Sequence, residues 1–205
     1  MKIRPPFLLT ILSIFVFSFA QALGDIKAGK IKAQVCFSCH GINGAGNVNP
    51  VWPALAGQHA SYIVKQLADF KSGIRVDPLM TAQVTRLSRQ DMLELGKFFA
   101  ARKVKTGSTN ASTAELKLGA RIYHNGTKAS GVIACMSCHG LTGEGNSAAK
   151  YPLLRGQNAP YVVKALTDFR RSSRENDPNR MMRGIADEMT DREIKAVAAF
   201  VSSLH

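Results

Sequence analysis

Apolar residues recur at helical spacing in two widely separated stretches of the chain. The first stretch places Ile63, Leu67 and Phe70 on a single face of a helix. The second has the same pattern, with Val162, Leu166 and Phe169. No segment of useful length shows the alternation of apolar and polar residues that is typical of a strand. The pattern therefore predicts an all-α protein.

An opening helix is predicted before each of these middle helices. The first begins near Asp25 and places Ala28, Ile31 and Val35 on one face. The second begins with the capping box Ser112-Thr113-Ala114-Glu115, in which a hydroxyl precedes an acid by three residues.

A closing helix follows each middle helix, and its start is the clearest boundary signal in the sequence. Ser88 precedes Asp91, and Thr190 precedes Glu193, at the spacing of a capping box. Apolar residues beside these caps would form hydrophobic staples, Leu87 with Met92 and Met189 with Ile194.

The two halves of the chain are copies of one another. Residues 36–75 align with residues 135–174 at an offset of 99 without a gap, and 20 of the 40 positions are identical. A duplication explains this agreement better than chance does. Beyond Arg174 the offset becomes 102, so the second copy has three extra residues before Met182. The polar segment 102–111 indicates a linker, and we predict domains at 23–106 and 107–205.

The N-terminus has the organisation of a secretory signal peptide. Lys2 and Arg4 form a basic region, residues 7–19 an apolar run, and Ala20-Gln21-Ala22 a cleavage site. A membrane anchor is the alternative, but the apolar run is shorter than the roughly 20 residues that a spanning helix needs. We therefore expect residues 1–22 to be removed near Ala22 and the mature protein to be periplasmic.

The mature chain is strongly basic. The formal charge of +13 becomes +11 without Lys2 and Arg4, with +7 in residues 23–106 and +4 in residues 107–205. Such a surface favours an acidic protein partner or peripheral contact with an anionic membrane. Nucleic acid is not expected as a partner, because the basic residues are dispersed and lack an interleaved aromatic platform.

All four cysteines belong to two CxxCH motifs. Cys36 and Cys39 precede His40, and Cys135 and Cys138 precede His139. This pattern is typical of covalent attachment of haem c, with the histidine as an axial iron ligand. Zinc would need four thiolates at one site and leaves the histidines unexplained, and a thioredoxin-like pair needs a βαβ context. The sequence therefore predicts two covalently bound haems c.

Two methionines in matched register are candidates for the second axial ligand. Met80 lies eight residues before Ser88, and Met182 lies eight residues before Thr190, in segments that we expect to be irregular. Met181 is an alternative to Met182, whereas Met92 and Met189 are explained as core residues by their staple positions.

Other residues are weaker candidates as iron ligands. His59, His124 and His205 have no matched partners in the repeat and are interpreted as surface residues. Pro53 and Pro152 each follow a CxxCH histidine by 13 residues. Each proline is either a rigid turn or the acceptor of the histidine Nδ1 proton through its carbonyl, which would fix the tautomer.

Together these features resemble the cytochrome c4 family, exported dihaem proteins with two class I cytochrome c domains. The resemblance covers the mature chain and rests on the two CxxCHG motifs, the two Pro-x-Leu-x-Gly-Gln segments, the methionines at 80 and 182, and the run 173–177 before the second methionine. It implies a pseudo-twofold relation between the domains, haem propionate edges near their interface, and histidine–methionine ligation of both irons. The adjacent Met181 and the basic N-terminal half depart from the family pattern.

The resemblance also implies a packing detail and a function. Gly29 or Gly119 in the opening helix would allow Phe98 or Phe200 in the closing helix to pack closely. The expected function is electron transfer from a quinol-oxidising complex or dehydrogenase to a terminal oxidase, without catalysis. The alternatives are a cytochrome subunit of a larger dehydrogenase, such as a flavin-containing sulfide dehydrogenase, and a dihaem peroxidase with one open iron.

Overall fold

A computed structural model describes residues 25–46, 48–105, 107 and 109–205 of the chain. The predicted signal peptide and its cleavage site lie outside these residues. The N-terminal half contains α1 (Ile26–Lys32), α2 (Gln34–His40), α3 (Ala60–Ser72), α4 (Pro78–Val84) and α5 (Arg89–Ala100). The C-terminal half contains α6 (Thr113–Asn125), α7 (Met136–His139), α8 (Ala159–Arg170), α9 (Met181–Asp187) and α10 (Asp191–Ser203).

The predicted all-α class is confirmed. In the part of the chain that the structure describes, β structure is limited to two isolated bridges, Thr127 with Val132 and Asn146 with Tyr151. The same part contains no helix that is both long and apolar enough to cross a membrane. Each half has its own hydrophobic core, one around Ile63, Leu95 and Phe98 and the other around Leu166 and Val197.

The opening and closing helices of each half pack together at a glycine. A Cβ atom on Gly29 would lie 2.2 Å from the Glu94 carbonyl oxygen, and one on Gly119 would lie 2.1 Å from that of Ala196. The same added atoms would lie 2.8 Å from Cβ of Phe98 and 2.7 Å from Cβ of Phe200. The predicted close packing of the glycine and the aromatic residue is therefore confirmed in both halves.

The predicted apolar face of the first opening helix is wrong. Ile31 is 70% exposed and Val35 is 61% exposed, whereas Gly29 and Ala33 are buried. The close approach of α5 explains the difference, because only small residues fit between the two backbones. A single residue, Ala33, separates α1 from α2, so the haem motif lies on the separate helix α2.

The capping boxes at the starts of the closing helices are confirmed. The side chain of Ser88 accepts a hydrogen bond from the Asp91 backbone N–H, and the Asp91 carboxylate accepts one from the Ser88 N–H. Thr190 and Glu193 form the same reciprocal pair before α10. Ser112 and Glu115 do so before α6.

The segments around the candidate methionines are helical, contrary to the prediction. Asp77 caps α4 by accepting hydrogen bonds from the backbone N–H groups of Leu79 and Met80, and Pro78 occupies the first turn. Aspartate and proline at these positions favour helix initiation. The helix has only seven residues, so its apolar periodicity is too short to be recognised. In the second copy, a 3₁₀ turn at Pro178–Arg180 leads directly into α9.

The two copies also differ before the second haem motif. Gly29 and Gly119 are 90 positions apart, whereas the CxxCH motifs are 99 apart, so the second copy has nine extra residues between its opening helix and its motif. These residues form a small loop closed by the bridge between Thr127 and Val132.

Candidate cofactor sites and the domain interface

Each CxxCH motif is helical and ends at a glycine with positive φ. Gly41 has φ 78° and Gly140 has φ 79°, a conformation that glycine adopts without a Cβ penalty. This ends the helix directly after the histidine. His40 and His139 are each only 7% exposed, whereas Cys39 is exposed. None of the four cysteines forms a disulfide.

Both histidines contact the carbonyl of the predicted proline. Nδ1 of His40 lies 2.9 Å from the Pro53 oxygen, and Nδ1 of His139 lies 3.0 Å from the Pro152 oxygen. A carbonyl can only accept, so Nδ1 carries the proton and Nε2 keeps its lone pair for a metal. Burial lowers the pKa of both histidines, although the proline carbonyls act in the opposite direction. Each imidazole is therefore held neutral, in the tautomer that an iron ligand needs.

Backbone hydrogen bonds hold the loop that brings each proline to its histidine. The Gly44 oxygen accepts from the N–H groups of Leu55 and Ala56, and the Gly46 N–H donates to the His40 oxygen at 2.7 Å. The second loop repeats this arrangement through Gly143 and Gly145. Gly44 and Gly46, and their equivalents Gly143 and Gly145, therefore position the proline carbonyls.

The candidate methionines occupy equivalent short helices. Met80 in α4 and Met182 in α9 are both half-buried. Met182 packs against the second core, which also contacts Cys135. The Met181 sulfur instead lies 3.8 Å from the Tyr151 hydroxyl, which donates to it. The structure therefore brings Met182 and the second motif to one apolar cluster and gives Met181 a different partner.

The remaining histidines have other contacts. Nε2 of His59 lies 2.8 Å from the Glu144 oxygen in the other half, and Nδ1 of His124 lies 3.5 Å from the Met136 sulfur. His59 and His124 are partly exposed, and His205 is exposed. Within the described ranges, no group of three or more His, Cys, Asp or Glu residues is arranged to hold a bare metal ion.

Two glutamines join the halves through reciprocal hydrogen bonds. The Gln58 side chain donates to the Leu153 oxygen and accepts from the Leu153 N–H, both at 2.9 Å. Gln157 makes the same pair with Ala54, at 2.9 and 2.8 Å. Leu153 and Ala54 are themselves equivalent positions in the repeat. Reciprocal contacts of this kind are what a twofold axis produces.

Two arginines also cross the interface. Arg75 stacks on the Phe70 ring, with its guanidinium carbon 4.5 Å from the ring centre, and donates to the Tyr161 hydroxyl. Arg174 stacks on the Phe169 ring at 4.4 Å and donates to the Tyr62 hydroxyl. Sequence reasoning missed the role of these residues. Their identity in both copies was the available signal, because a polar residue retained in both halves of a duplication has a shared task.

Comparisons with known proteins agree with this architecture. The sequence matches the family described as Cytochrome c over residues 26–98 and again over residues 116–205. It is 38% identical to cytochrome c4 of Azotobacter vinelandii over 95% of this chain and 96% of that protein. The crystal structure of reduced recombinant cytochrome c4 from Pseudomonas stutzeri superposes with a TM-score of 0.84, at 37% identity, covering 89% of this chain and all of that one.

A further relative is a thiosulfate dehydrogenase electron acceptor from Stutzerimonas stutzeri (strain A1501). It is 35% identical over 84% of this chain and 80% of that protein.

These relationships establish what the two motifs hold and the class of activity. Two haems c are covalently bound, at Cys36 with Cys39 and at Cys135 with Cys138. The protein transfers electrons and is not an enzyme. The duplicated motifs, the paired domains and the matches over nearly the whole chain together show that the chain belongs to the cytochrome c4 family.

Proposed function

We propose that this dihaem protein carries electrons in the periplasm, from a quinol-oxidising complex or a dehydrogenase to a terminal oxidase. The observation that carries the proposal is the matched geometry of the two halves. In each half a proline carbonyl fixes a buried histidine in its Nδ1-protonated tautomer, and a methionine lies on an equivalent short helix. Two equivalent centres are suited to relaying electrons.

The axial ligands that we propose are His40 with Met80 and His139 with Met182. Pro53 and Pro152 would act on the iron indirectly, by orienting each imidazole and raising its basicity. Met182 is favoured over Met181 because the Met181 sulfur accepts a hydrogen bond from Tyr151. Met182 instead packs in the apolar cluster that contacts Cys135.

Histidine–methionine ligation suits electron transfer in two ways. Both axial positions are filled by the protein, so no position is available for a substrate. Methionine sulfur is a soft ligand that stabilises the reduced iron and raises its potential. A haem of this kind accepts electrons from quinol-derived donors and passes them to a higher-potential oxidase.

The surface charge supports acidic redox partners. The mature chain carries +11, with the larger share in the N-terminal domain. Exposed apolar residues lie beside both haem motifs, among them Ile42 at 75% exposure and Leu141 at 62%. An apolar contact surrounded by positive charge would dock an acidic partner surface and steer its approach. The same charge would support peripheral contact with an anionic membrane.

A second candidate donor comes from the relatives. One of them is a thiosulfate dehydrogenase electron acceptor, which makes a periplasmic sulfur-oxidising dehydrogenase a donor of interest for this chain. Stable association with such an enzyme, including a flavin-containing sulfide dehydrogenase, would make the chain a subunit rather than a mobile carrier.

Reduction and oxidation rates measured with native membranes test the proposal. Purified holoprotein is mixed with anaerobic membranes supplied with quinol, and then with aerated membranes, at low and high salt. We expect reduction by the first and oxidation by the second, with both rates falling as salt screens the basic surface. Thiosulfate dehydrogenase replaces the quinol in a parallel arm. If only thiosulfate dehydrogenase reduces the protein, the electron donor is a sulfur-oxidising enzyme and not a quinol-oxidising complex. If membranes do not oxidise the reduced protein, electron delivery to a terminal oxidase is refuted.

Export is tested separately. Mass spectrometry of the native holoprotein is expected to show a chain that begins at Leu23 and carries two haems. A retained N-terminus would instead indicate a membrane anchor.

A further inference from the structure

An apolar groove lies between α3 and α5 in the N-terminal half, and it has a volume of about 920 Å³. Val64 from α3 and Leu93 from α5 are both half-buried and line it. The residues of α3 that face the core are different ones, because Ile63 and Leu67 belong to the cluster that also contacts Cys36. The groove is therefore on a different face of α3 from the core beside the first haem motif.

Positive side chains lie at both ends of this groove. Lys71 and Arg89 line it where the end of α3 meets the start of α5. Lys150, from the other half of the chain, lines it near the start of α3, where Ser61 donates to the Ser147 carbonyl oxygen at 2.6 Å. All three basic side chains are exposed, and none of them belongs to an ion pair among the residues that the structure describes.

The acidic residues near the groove have other partners. Asp69, the acidic residue in its lining, is paired with Lys65 on the same helix. Asp91 and Glu94 of α5 are both paired with Lys32 of α1. No carboxylate of the groove lining therefore balances the three basic residues at its ends.

The matched surface of the second half has a different charge arrangement. Arg170 is the equivalent of Lys71, and Asp191 is the equivalent of Arg89. These two residues form an ion pair between α8 and α10. The second half therefore pairs opposite charges where the first half places two like charges.

The apolar surface and the far end of the groove also differ between the halves. Leu93 corresponds to Lys195 in the second half, and Lys150 corresponds to Val51 in the first. The two halves share one fold, so the fold does not require an apolar groove with positive ends. A role that belongs to the N-terminal half alone explains the combination.

The shape and charge of the groove indicate what binds there. Its helix α3 has 13 residues and is about 20 Å long. A helix of similar length could place apolar side chains on the groove, as in helix-in-groove recognition, and acidic side chains beside its positive ends. A flat membrane surface fits less well, because Met92 in the lining is only 5% exposed. A second copy of this chain is unsuitable, because the mature chain carries +11 and two copies repel.

We propose that the groove between α3 and α5 binds an acidic amphipathic helix of a partner protein. The site goes beyond the proposed electron-transfer function, because it is separate from the apolar residues beside the haem motifs. It holds a partner on the N-terminal domain and leaves those residues available for electron exchange. Linking two contacts in this way increases the local concentration of the partner.

A synthetic helix tests the site with the intact ferric holoprotein. The peptide has about 15 residues, which is about four turns, with leucines on one face and glutamates on the other. A second peptide has glutamines in place of the glutamates. Dissociation constants are measured by isothermal titration calorimetry at low and high salt. Vesicles of phosphatidylglycerol form a parallel arm.

Two variants give the groove the residues of the second half. Leu93→Lys removes apolar surface and adds positive charge, and Arg89→Asp supplies an ion partner for Lys71. The controls are Leu116→Lys, at a half-buried leucine of α6, and Arg121→Asp, at an exposed arginine of the same helix. Each control makes the same chemical change outside the groove.

We expect the glutamate peptide to bind the wild-type protein about tenfold more tightly than the glutamine peptide at low salt, with the difference falling at high salt. Leu93→Lys should weaken binding of the glutamate peptide about tenfold, because the apolar contact is lost. General attraction to a basic protein predicts the opposite, since this variant gains a charge. Arg89→Asp should also weaken binding about tenfold, whereas both controls should change it less than about threefold.

Equal effects of Arg89→Asp and Arg121→Asp, or unchanged or tighter binding by Leu93→Lys, would overturn the proposal. Vesicle binding that depends on Leu93, with peptide binding that does not, would also overturn it and assign the groove to a membrane. Peptide binding involves no electron transfer, so either failure leaves the carrier function intact. Conversely, a protein that binds the peptide in the groove but is not oxidised by membranes would support the site and refute the oxidase.

Discussion

Alanine at Gly29 is expected to destabilise the N-terminal domain, although alanine is the better helix former. Gly29 lies in α1 where α5 crosses, and an added Cβ would lie 2.2 Å from the Glu94 carbonyl oxygen. Real Cβ atoms essentially never come within 3.0 Å of such an atom, so α1 and α5 must separate by about 0.8 Å. The atom that must move is backbone, so a change of side-chain rotamer cannot relieve the contact.

The two contributions to the free energy of unfolding can be compared. Replacing glycine by alanine in a helix stabilises by about 1 kcal/mol. Overpacking a close contact typically costs about 1–3 kcal/mol, and the cost is at the upper end where backbone must shift. We therefore expect a net loss of about 1–2 kcal/mol, more than fivefold in the folding equilibrium. Gly119→Ala should do the same in the C-terminal domain, because its added Cβ would lie 2.1 Å from the Ala196 oxygen.

Guanidinium unfolding of the ferric holoprotein, followed by far-UV circular dichroism, measures this loss. Gly184→Ala is the control, because Gly184 is also helical, is exposed, and has nothing within 4 Å of an added Cβ. The control should gain about 0.5–1 kcal/mol from helix propensity alone. If Gly29→Ala were as stabilising as Gly184→Ala, the helices would not be in the close contact described here.

Four further predictions follow from the sites and the interface. Met80→His should lower the potential of the first haem by a sizeable part of the roughly 0.8 V range that axial ligands control, and an unchanged midpoint in redox titration would refute Met80 as ligand. Met182→Leu should abolish the sulfur-to-iron charge-transfer band of one haem, whereas Met181→Leu should retain it, and the reverse result would exchange their roles. Gln58→Ala should cost about 1–3 kcal/mol in chemical unfolding, because it leaves the buried backbone groups of Leu153 without partners, and an unchanged midpoint would show that water replaces the side chain. Ser88→Ala should cost about 1 kcal/mol by removing the cap of α5, while Ser72→Ala, outside any capping box, serves as the comparison.

The polar contacts at the domain interface differ between the two copies. Asn176 belongs to the segment in which the second copy has extra residues, and it links Arg174 to Gln66 and Asp69. Asp69 and its equivalent in the second half, Asp168, are each paired with the lysine four residues earlier, but of these two carboxylates only Asp69 accepts from Asn176 among the described contacts. The repeat therefore predicts the twofold relation, while the insertion makes the polar contacts on its two sides unequal.

Local sequence determined the features that depend on a few neighbouring residues. CxxCH fixes two cysteines and a histidine on one short helix, and a hydroxyl three residues before an acid fixes a helix start. The offset of 99 was enough to indicate two similar domains, and the offset of 102 beyond Arg174 matched Met80 with Met182. The histidine–proline spacing of 13 also suggested the Nδ1 hydrogen bond that the structure contains.

Only the tertiary structure decided features that depend on how closely distant segments approach. Periodicity placed Ile31 and Val35 in the core, but the contact at Gly29 leaves room only for small residues and turns the larger ones to solvent. The short helices around Met80 and Met182 were not predicted, because seven residues give too little periodicity. Tyr161, which contacts Arg75, and Tyr62, which contacts Arg174, lie 86 and 112 residues away from them in the sequence. The burial of these contacts depends on the docking of the two cores. Sequence alone therefore determined the two haem attachment sites, whereas packing decided how they are joined, since burial and charge are properties of the assembled interface.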